Sequence, residues 1–198
     1  GHTSNMNVTY MAEGYTVGLF RLPVHAGFDV DANGKRTYSF EDIDGIEGID
    51  QGDNADRAIQ GQVTPKVTGS LNLRLRYKRF DLSTQLRGAF GRMIYNYTAV
   101  SLNNLNQFPS YNVLKTAPEL SIYQVIHTSY WLEKGDYTNV EYITLGYDIP
   151  TSKLKVVSSA RIALSCNNVV TFTGYSGLTP LTNSDPLTGG VDARNIYP

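Results

Sequence analysis

Between Val67 and Phe90 the sequence reads VTGSLNLRLRYKRFDLSTQLRGAF, and its side chains sort by parity. Val67, Gly69, Leu71, Leu73, Leu75 and Tyr77 fall on one side; Thr68, Ser70, Asn72, Arg74, Arg76 and Lys78 fall on the other. Past Lys78-Arg79 the pattern restarts, with Phe80, Leu82, Thr84, Leu86, Gly88 and Phe90 alternating with Asp81, Ser83, Gln85, Arg87 and Ala89. Successive side chains of a strand point to opposite faces, so this stretch predicts a hairpin with one apolar face and one wet, cationic face. An apolar face of that length must meet either a protein core or lipid.

With 14 Tyr and 18 Gly against 18% charged residues, the chain reads as all-β with many turns. No apolar run approaches the ~20 residues of a spanning helix, but barrel strands alternate and need no such run. A formal net charge of -1 gives no electrostatic case for nucleic acid. Strands are expected at about 5–11, 67–77, 80–90, 137–149 and 160–168, separated by long connections at 12–66, 91–136 and 169–198. Within the first connection, DANGK (31–35) suits a type I′ hairpin between Phe28–Val30 and Thr37–Phe40. A short helix fits around Pro118–Thr128. In the strand at 137–149, Tyr137, Asn139, Glu141, Ile143, Leu145 and Tyr147 alternate with Thr138, Val140, Tyr142, Thr144 and Gly146.

The connections are unequal. Those after Tyr77 and Ile149 are short; those after Met11, Phe90 and Asn168 are long. Compact soluble domains rarely hold several loops beyond ~12–15 residues, whereas outer-membrane barrels have tight turns on one side and long external loops on the other. Val67–Tyr77 also matches the ~9–11 residues that a tilted spanning strand needs. The barrel reading is therefore of antiparallel hairpins forming part of a transmembrane β-barrel with long extracellular loops. It places Leu71, Leu73, Leu75, Leu82 and Leu86 against lipid and turns Asn72, Arg74, Arg76, Gln85 and Arg87 into the lumen. A lipid-facing Arg or Lys near mid-membrane costs ~2–4 kcal/mol, which would fix that choice of face. The alternative is a soluble β-sandwich whose aromatic-rich loops bind carbohydrate, with the arginines in water. Tyr77, Tyr137 and Tyr147 near strand ends suit an interfacial girdle or simple β-propensity.

Chemistry is sparse. His2, His25 and His127 show no metal-ligand spacing, and no nucleophile-elbow, Walker or dinucleotide motif is present. No catalytic, cofactor or metal residue is expected, and neither is an enzyme. The acidic run Asp42, Asp44, Glu47, Asp50, Asp53, Asp56 is a solvated loop or a calcium site; its spacing lacks the closing Glu of a calcium loop. Lone Cys166 rules out an internal disulfide and reads as a small apolar strand residue.

Several stretches, in order along the chain, resemble the SusC/RagA family of TonB-dependent outer-membrane transporters. They are EGYTVGLF (13–20), FEDIDGIEGIDQGDNADRAIQG (40–61), PKVTG (65–69), YKRFDL (77–82), FGRMIYN (90–96), GDYTNVEYITLGYDIP (135–150), ARIALSCNNVVTFTGYSG (160–177) and GGVDARNIYP (189–198). Departures are local, at Thr138–Tyr142 and at Thr179-Pro180. The resemblance implies a piece from near the carboxyl end of a longer transporter, with plug, most of the barrel and the last strand outside it. It also implies a bacterial outer-membrane location, energised uptake of glycan fragments or other bulky nutrients, a SusD-like surface lipoprotein as partner, and TonB as the source of energy.

Overall fold

The computed structural model describes residues 8–43, 45, 56–151, 157–182, 185, 187 and 189–192. In chain order the strands are β1 (Thr9–Tyr10), β2 (Leu19–Pro23), β3 (His25–Val30), β4 (Arg36–Phe40), β5 (Arg57–Gln62), β6 (Val67–Tyr77) and β7 (Phe80–Phe90). They continue with β8 (Met93–Tyr95), β9 (Leu132–Lys134), β10 (Tyr137–Ile149) and β11 (Ala160–Thr173). Two short helices, α1 (Tyr97–Leu102) and α2 (Ala117–Leu120), lie between β8 and β9. None of the helices described is long and apolar enough to cross a membrane, which says nothing of strands. The chain divides into two compact units: Lys66–Gly91 with Gly135–Gly174, and Gly1–Pro65 with Arg92–Lys134 and Tyr175–Pro198.

The first unit is one antiparallel sheet in the order β11-β10-β7-β6. The alternation places β6, β7 and β10 at their expected bounds, while β11 continues beyond Asn168 to Thr173. Asn168 does not end the strand; it takes φ 51° within it. Lys78 and Arg79 make the tight turn between β6 and β7, with Lys78 at φ 55°. At the other end of the sheet, Gly91 N–H donates to Asp136 Oδ1 at 2.6 Å, and the Thr173 hydroxyl donates to the Asp136 carbonyl at 2.8 Å.

The second unit gathers stretches that the sequence reads as loops into a body with its own core. Val8, Phe20, Leu22, Tyr38, Phe40, Val63, Tyr95, Val100, Ile122, Ile126 and Trp131 pack together. Around them lie a sheet in the order β1-β2-β5, the β3-β4 hairpin and the β8-β9 pair. The β3-β4 turn is not type I′, because only Gly34, at φ 77°, is left-handed there. Asp31 builds it instead. Its carbonyl accepts from Gly34 N–H at 3.0 Å and its carboxylate from the Asn33 and Lys35 amides at 2.9 and 2.8 Å, giving a three-residue loop closed by a glycine. The expected first strand shortens to Thr9–Tyr10, its residues 5–7 lying outside the described ones, and the expected helix near Pro118 is only Ala117–Leu120.

The segment Gly189–Asp192 is tied to β8 as a parallel neighbour: Tyr95 bridges Val191, Tyr95 N–H donates to Gly190 O at 2.8 Å, and Asp192 N–H to Tyr95 O at 2.9 Å. Gly190 has φ 75°, and a Cβ there would lie 2.9 Å from Val63 Cγ1 and from Phe20 Cζ. Gly190→Ala therefore combines a left-handed alanine with a core clash and is expected to lower stability by about 1–3 kcal/mol, read as the shift in denaturation midpoint.

Candidate functional site, a two-faced sheet

Residues directly opposite in an antiparallel pair share a face, so the pairing of the four-stranded sheet sorts its side chains. From the tight-turn end, the rows of one face are Tyr77-Phe80-Tyr147-Ile162, Leu75-Leu82-Leu145-Leu164, Leu73-Thr84-Ile143-Cys166 and Leu71-Leu86-Val140-Val170. Gly69-Gly88-Thr138-Phe172 follows, and Val67-Phe90 closes the face. The other face carries Asn72 opposite Gln85, Arg74 opposite Ser83, Arg76 opposite Asp81 and Ser70 opposite Arg87, then Asn139, Tyr142, Thr144 and Asp148 on β10. All five candidate leucines thus stand together on one face, and Asn72, Arg74, Arg76, Gln85 and Arg87 stand together on the other.

The alternation along β10 breaks, and this corrects the sequence pattern. Val140 pairs with Leu86, but the next partner of Gln85 is Tyr142, so Glu141 is an extra residue. This bulge moves Ile143, Leu145 and Tyr147 onto the same face as Val140 and puts Asn139 with Tyr142 and Thr144. Asn168 and Val169 of β11 are passed over at the same level. Glu141 turns to Arg87 on the polar face, its Oε1 2.8 Å from the guanidinium Nε.

Nothing described covers the apolar face. Leu71 is 60% exposed, Leu164 76%, Leu145 49% and Phe172 61%. From Phe80 to Phe90, ten steps at ~3.4 Å make roughly 34 Å of strand, which a tilt of ~40° reduces to about 26 Å, the height of an outer-membrane apolar band. Rings stand at both ends: Tyr77, with Phe80 and Tyr147 packed at 4.8 Å between centroids, and at the far end Phe90 and Phe172.

The polar face is laced by ion pairs near its tight-turn end. Arg76 reaches across β7 to Asp148 at 2.5 Å, and Arg161 reaches across β10 to Asp81 at 2.6 Å. The second reach depends on Gly146, because a Cβ there would occupy the place where the Arg161 guanidinium meets the Asp81 carboxylate. Thr144 and Ser165 hydroxyls meet at 2.9 Å, and Asn139 Nδ2 donates to Thr171 Oγ1 at 2.6 Å.

Within the other unit, sequence reasoning missed two polar ties, one of them buried. Fully buried Asp192 accepts from the Tyr175 hydroxyl at 2.5 Å and from Thr98 Oγ1 at 3.3 Å. Glu133 Oε1 accepts from Asn96 Nδ2 at 2.9 Å and Ser176 Oγ at 2.7 Å, and its Oε2 from Ser176 N–H at 2.8 Å. Their partners lie up to 94 residues apart, and no local pattern announces them. Of the acidic run, Asp44, Glu47, Asp50 and Asp53 lie outside the described residues, while Asp42 and Asp56 accept backbone amides of Gly45 and Ile43. Among the described residues no group of three or more acidic, His or Cys side chains is placed to hold a metal.

No family model matches the chain. It is 29% identical over a 206-residue alignment to TonB-dependent receptor P3 of Formosa agariphila, which covers 92% of this chain and 20% of the relative. The RagAB peptide importer in its open-open state superposes with a TM-score of 0.64 at 20% identity, over 97% of this chain and 23% of that one. Its closed-closed state gives 0.63 at 19% identity, over 93% and 23%. The chain is SusC/RagA-like. This SusC/RagA-like chain spans about a fifth of the curated relative's length. Its antiparallel sheet is a portion of a β-barrel transporter fold, and its place is the bacterial outer membrane.

Proposed function

We propose that this chain supplies wall strands and external structure to a TonB-driven importer of bulky nutrients. The observation that carries the reading is the uncovered apolar face, continuous over four strands and bounded by rings at both ends. A soluble sandwich would have to bury that face under a second sheet. Lipid satisfies it directly. In this reading Leu71, Leu73, Leu75, Leu82 and Leu86 touch lipid, and Asn72, Arg74, Arg76, Gln85 and Arg87 face the lumen, where the ion pairs of Arg76 and Arg161 are hydrated. The stretches 12–66 and 91–136 lie outside the bilayer, and so does the chain from 174 on, because β11 carries Val170 and Phe172 on the apolar face. A SusD-like lipoprotein at the external mouth and TonB at the periplasmic side complete the machine. The cargo is a glycan fragment; the likeness to a peptide importer favours an oligopeptide as the second reading.

Single cysteines introduced into the full-length protein in a Cys166→Ala background test the wall. Positions 71, 73, 75, 82 and 86 should be reached by lipid-phase quenchers and not by aqueous thiol reagents. Positions 72, 74, 76, 85 and 87 should show the reverse, and an absence of contrast between the sets would defeat the reading. TonB-dependent uptake of labelled oligosaccharide measured beside labelled oligopeptide separates the two cargoes.

A further inference from the structure

Two histidines hold one short turn in the unit outside the large sheet. The turn runs from His127 to Trp131 and ends in a 3-10 helix at Ser129–Trp131, which buries the indole to 5% exposure. From one side, His25 N–H donates to Ser129 Oγ at 2.8 Å, and the His25 ring packs edge-on against Tyr130 with centroids 4.9 Å apart. From the other side, His127 Nδ1 lies 2.9 Å from the Tyr95 hydroxyl, and Tyr95 is fully buried. Trp131 Nε1 donates to the Tyr38 hydroxyl at 3.0 Å, and Tyr38 in turn stands beside His25 at 5.9 Å. We propose that His25 and His127 form an acid-sensitive clasp on this turn, so that protonating them releases Trp131 from the core.

The geometry admits neutral rings and opposes charged ones. His25 Nδ1 is buried without a hydrogen-bond partner, so an imidazolium there carries an N–H that nothing accepts. A neutral His127 can accept the Tyr95 O–H at Nδ1; once protonated, that nitrogen can only donate to the Tyr95 oxygen, and the new charge sits buried beside the Arg57 cation. The titratable and charged groups facing His127 are Arg57, Tyr95 and Tyr97, and those facing His25 are Tyr38 and Tyr130. None of these is a carboxylate to offset the new charge. Burial pushes both histidines below the ordinary value of 6.5, with the Arg57 charge adding to the effect at His127. Burial raises Tyr38 to about 12, and it raises Tyr95 as well, so neither phenol ionises in this range. The folded state thus prefers the neutral rings. The stability they contribute is complete above pH 6.5 and is lost as pH falls through their lower folded values.

Trp131 is the one tryptophan in these 198 residues, and the emission it contributes, taken as the difference between the parent and Trp131→Phe, reports the clasp. For the full chain in detergent micelles, titration from about pH 8 to about pH 5 spans the histidine range. It should move the emission to longer wavelength, starting below pH 6.5. The double variant His25→Gln/His127→Gln should abolish that shift. An unchanged emission in the parent chain, or an equal shift in the double variant, overturns the proposal. Should circular dichroism show the double variant unfolded at the starting pH, ring NMR titration of the parent chain decides. Histidines titrating at or above 6.5, or out of step with Trp131, overturn it equally.

Discussion

Leu73→Arg is expected to lower the stability of the membrane-inserted protein by about 2–4 kcal/mol, whereas Asn72→Arg, one residue away, stays within about 0.5 kcal/mol. The contrast rests on face alone. Leu73 stands in the row with Thr84, Ile143 and Cys166, midway between the ringed ends of the sheet; on the proposed lipid-facing reading a charge there has no water within reach. Asn72 stands opposite Gln85 among polar neighbours, and an arginine there joins Arg74 and Arg76. Folding into phospholipid vesicles, followed by urea titration of the full-length protein, measures both. Equal losses for the two variants would remove the basis for separating lipid from lumen.

Trp131→Ala has the second large effect, an expected loss of about 3–5 kcal/mol. The indole is 5% exposed, packs edge-on against Tyr130 at 4.7 Å and donates to the hydroxyl of Tyr38, itself 7% exposed. Truncation leaves a cavity where β4 and the turn before β9 meet, and it removes the donor from a buried phenol. Tyr111→Ala is the matched control: at 62% exposure it should change stability by less than about 0.5 kcal/mol. Chemical denaturation of the three chains, followed by far-ultraviolet dichroism, gives the ranking.

Period-two alternation made β6, β7 and the start of β10 legible, because one face of each strand is uniformly apolar and a one-residue slip would exchange the faces. The same reasoning misgrouped β10. Glu141 interrupts the period without any glycine or proline to announce it, and pairing with Leu86 and Gln85 is what exposes the extra residue. At Asn168 the pair of asparagines imitates a turn, yet the strand runs through it and returns Val170 and Phe172 to the apolar face. The second unit was nearly invisible for a different reason. Its core takes Val8, Phe20, Val63, Tyr95, Ile122 and Trp131 from widely separated stretches, none long enough to show a period of its own. Asp192 reads as one more loop acid until Tyr175 and Thr98 are found on it.

The bulge at Glu141 has a consequence for how such walls diversify. Elsewhere along β10, losing or gaining one residue would swap greasy for wet over the rest of the strand and so reverse every row beyond it. At Glu141 the ladder already carries one unmatched residue. Removing it leaves Ile143, Leu145 and Tyr147 beside Thr84, Leu82 and Phe80. Length variation among relatives should therefore concentrate at this one point of the strand, where the backbone absorbs it without exchanging the two faces of the sheet.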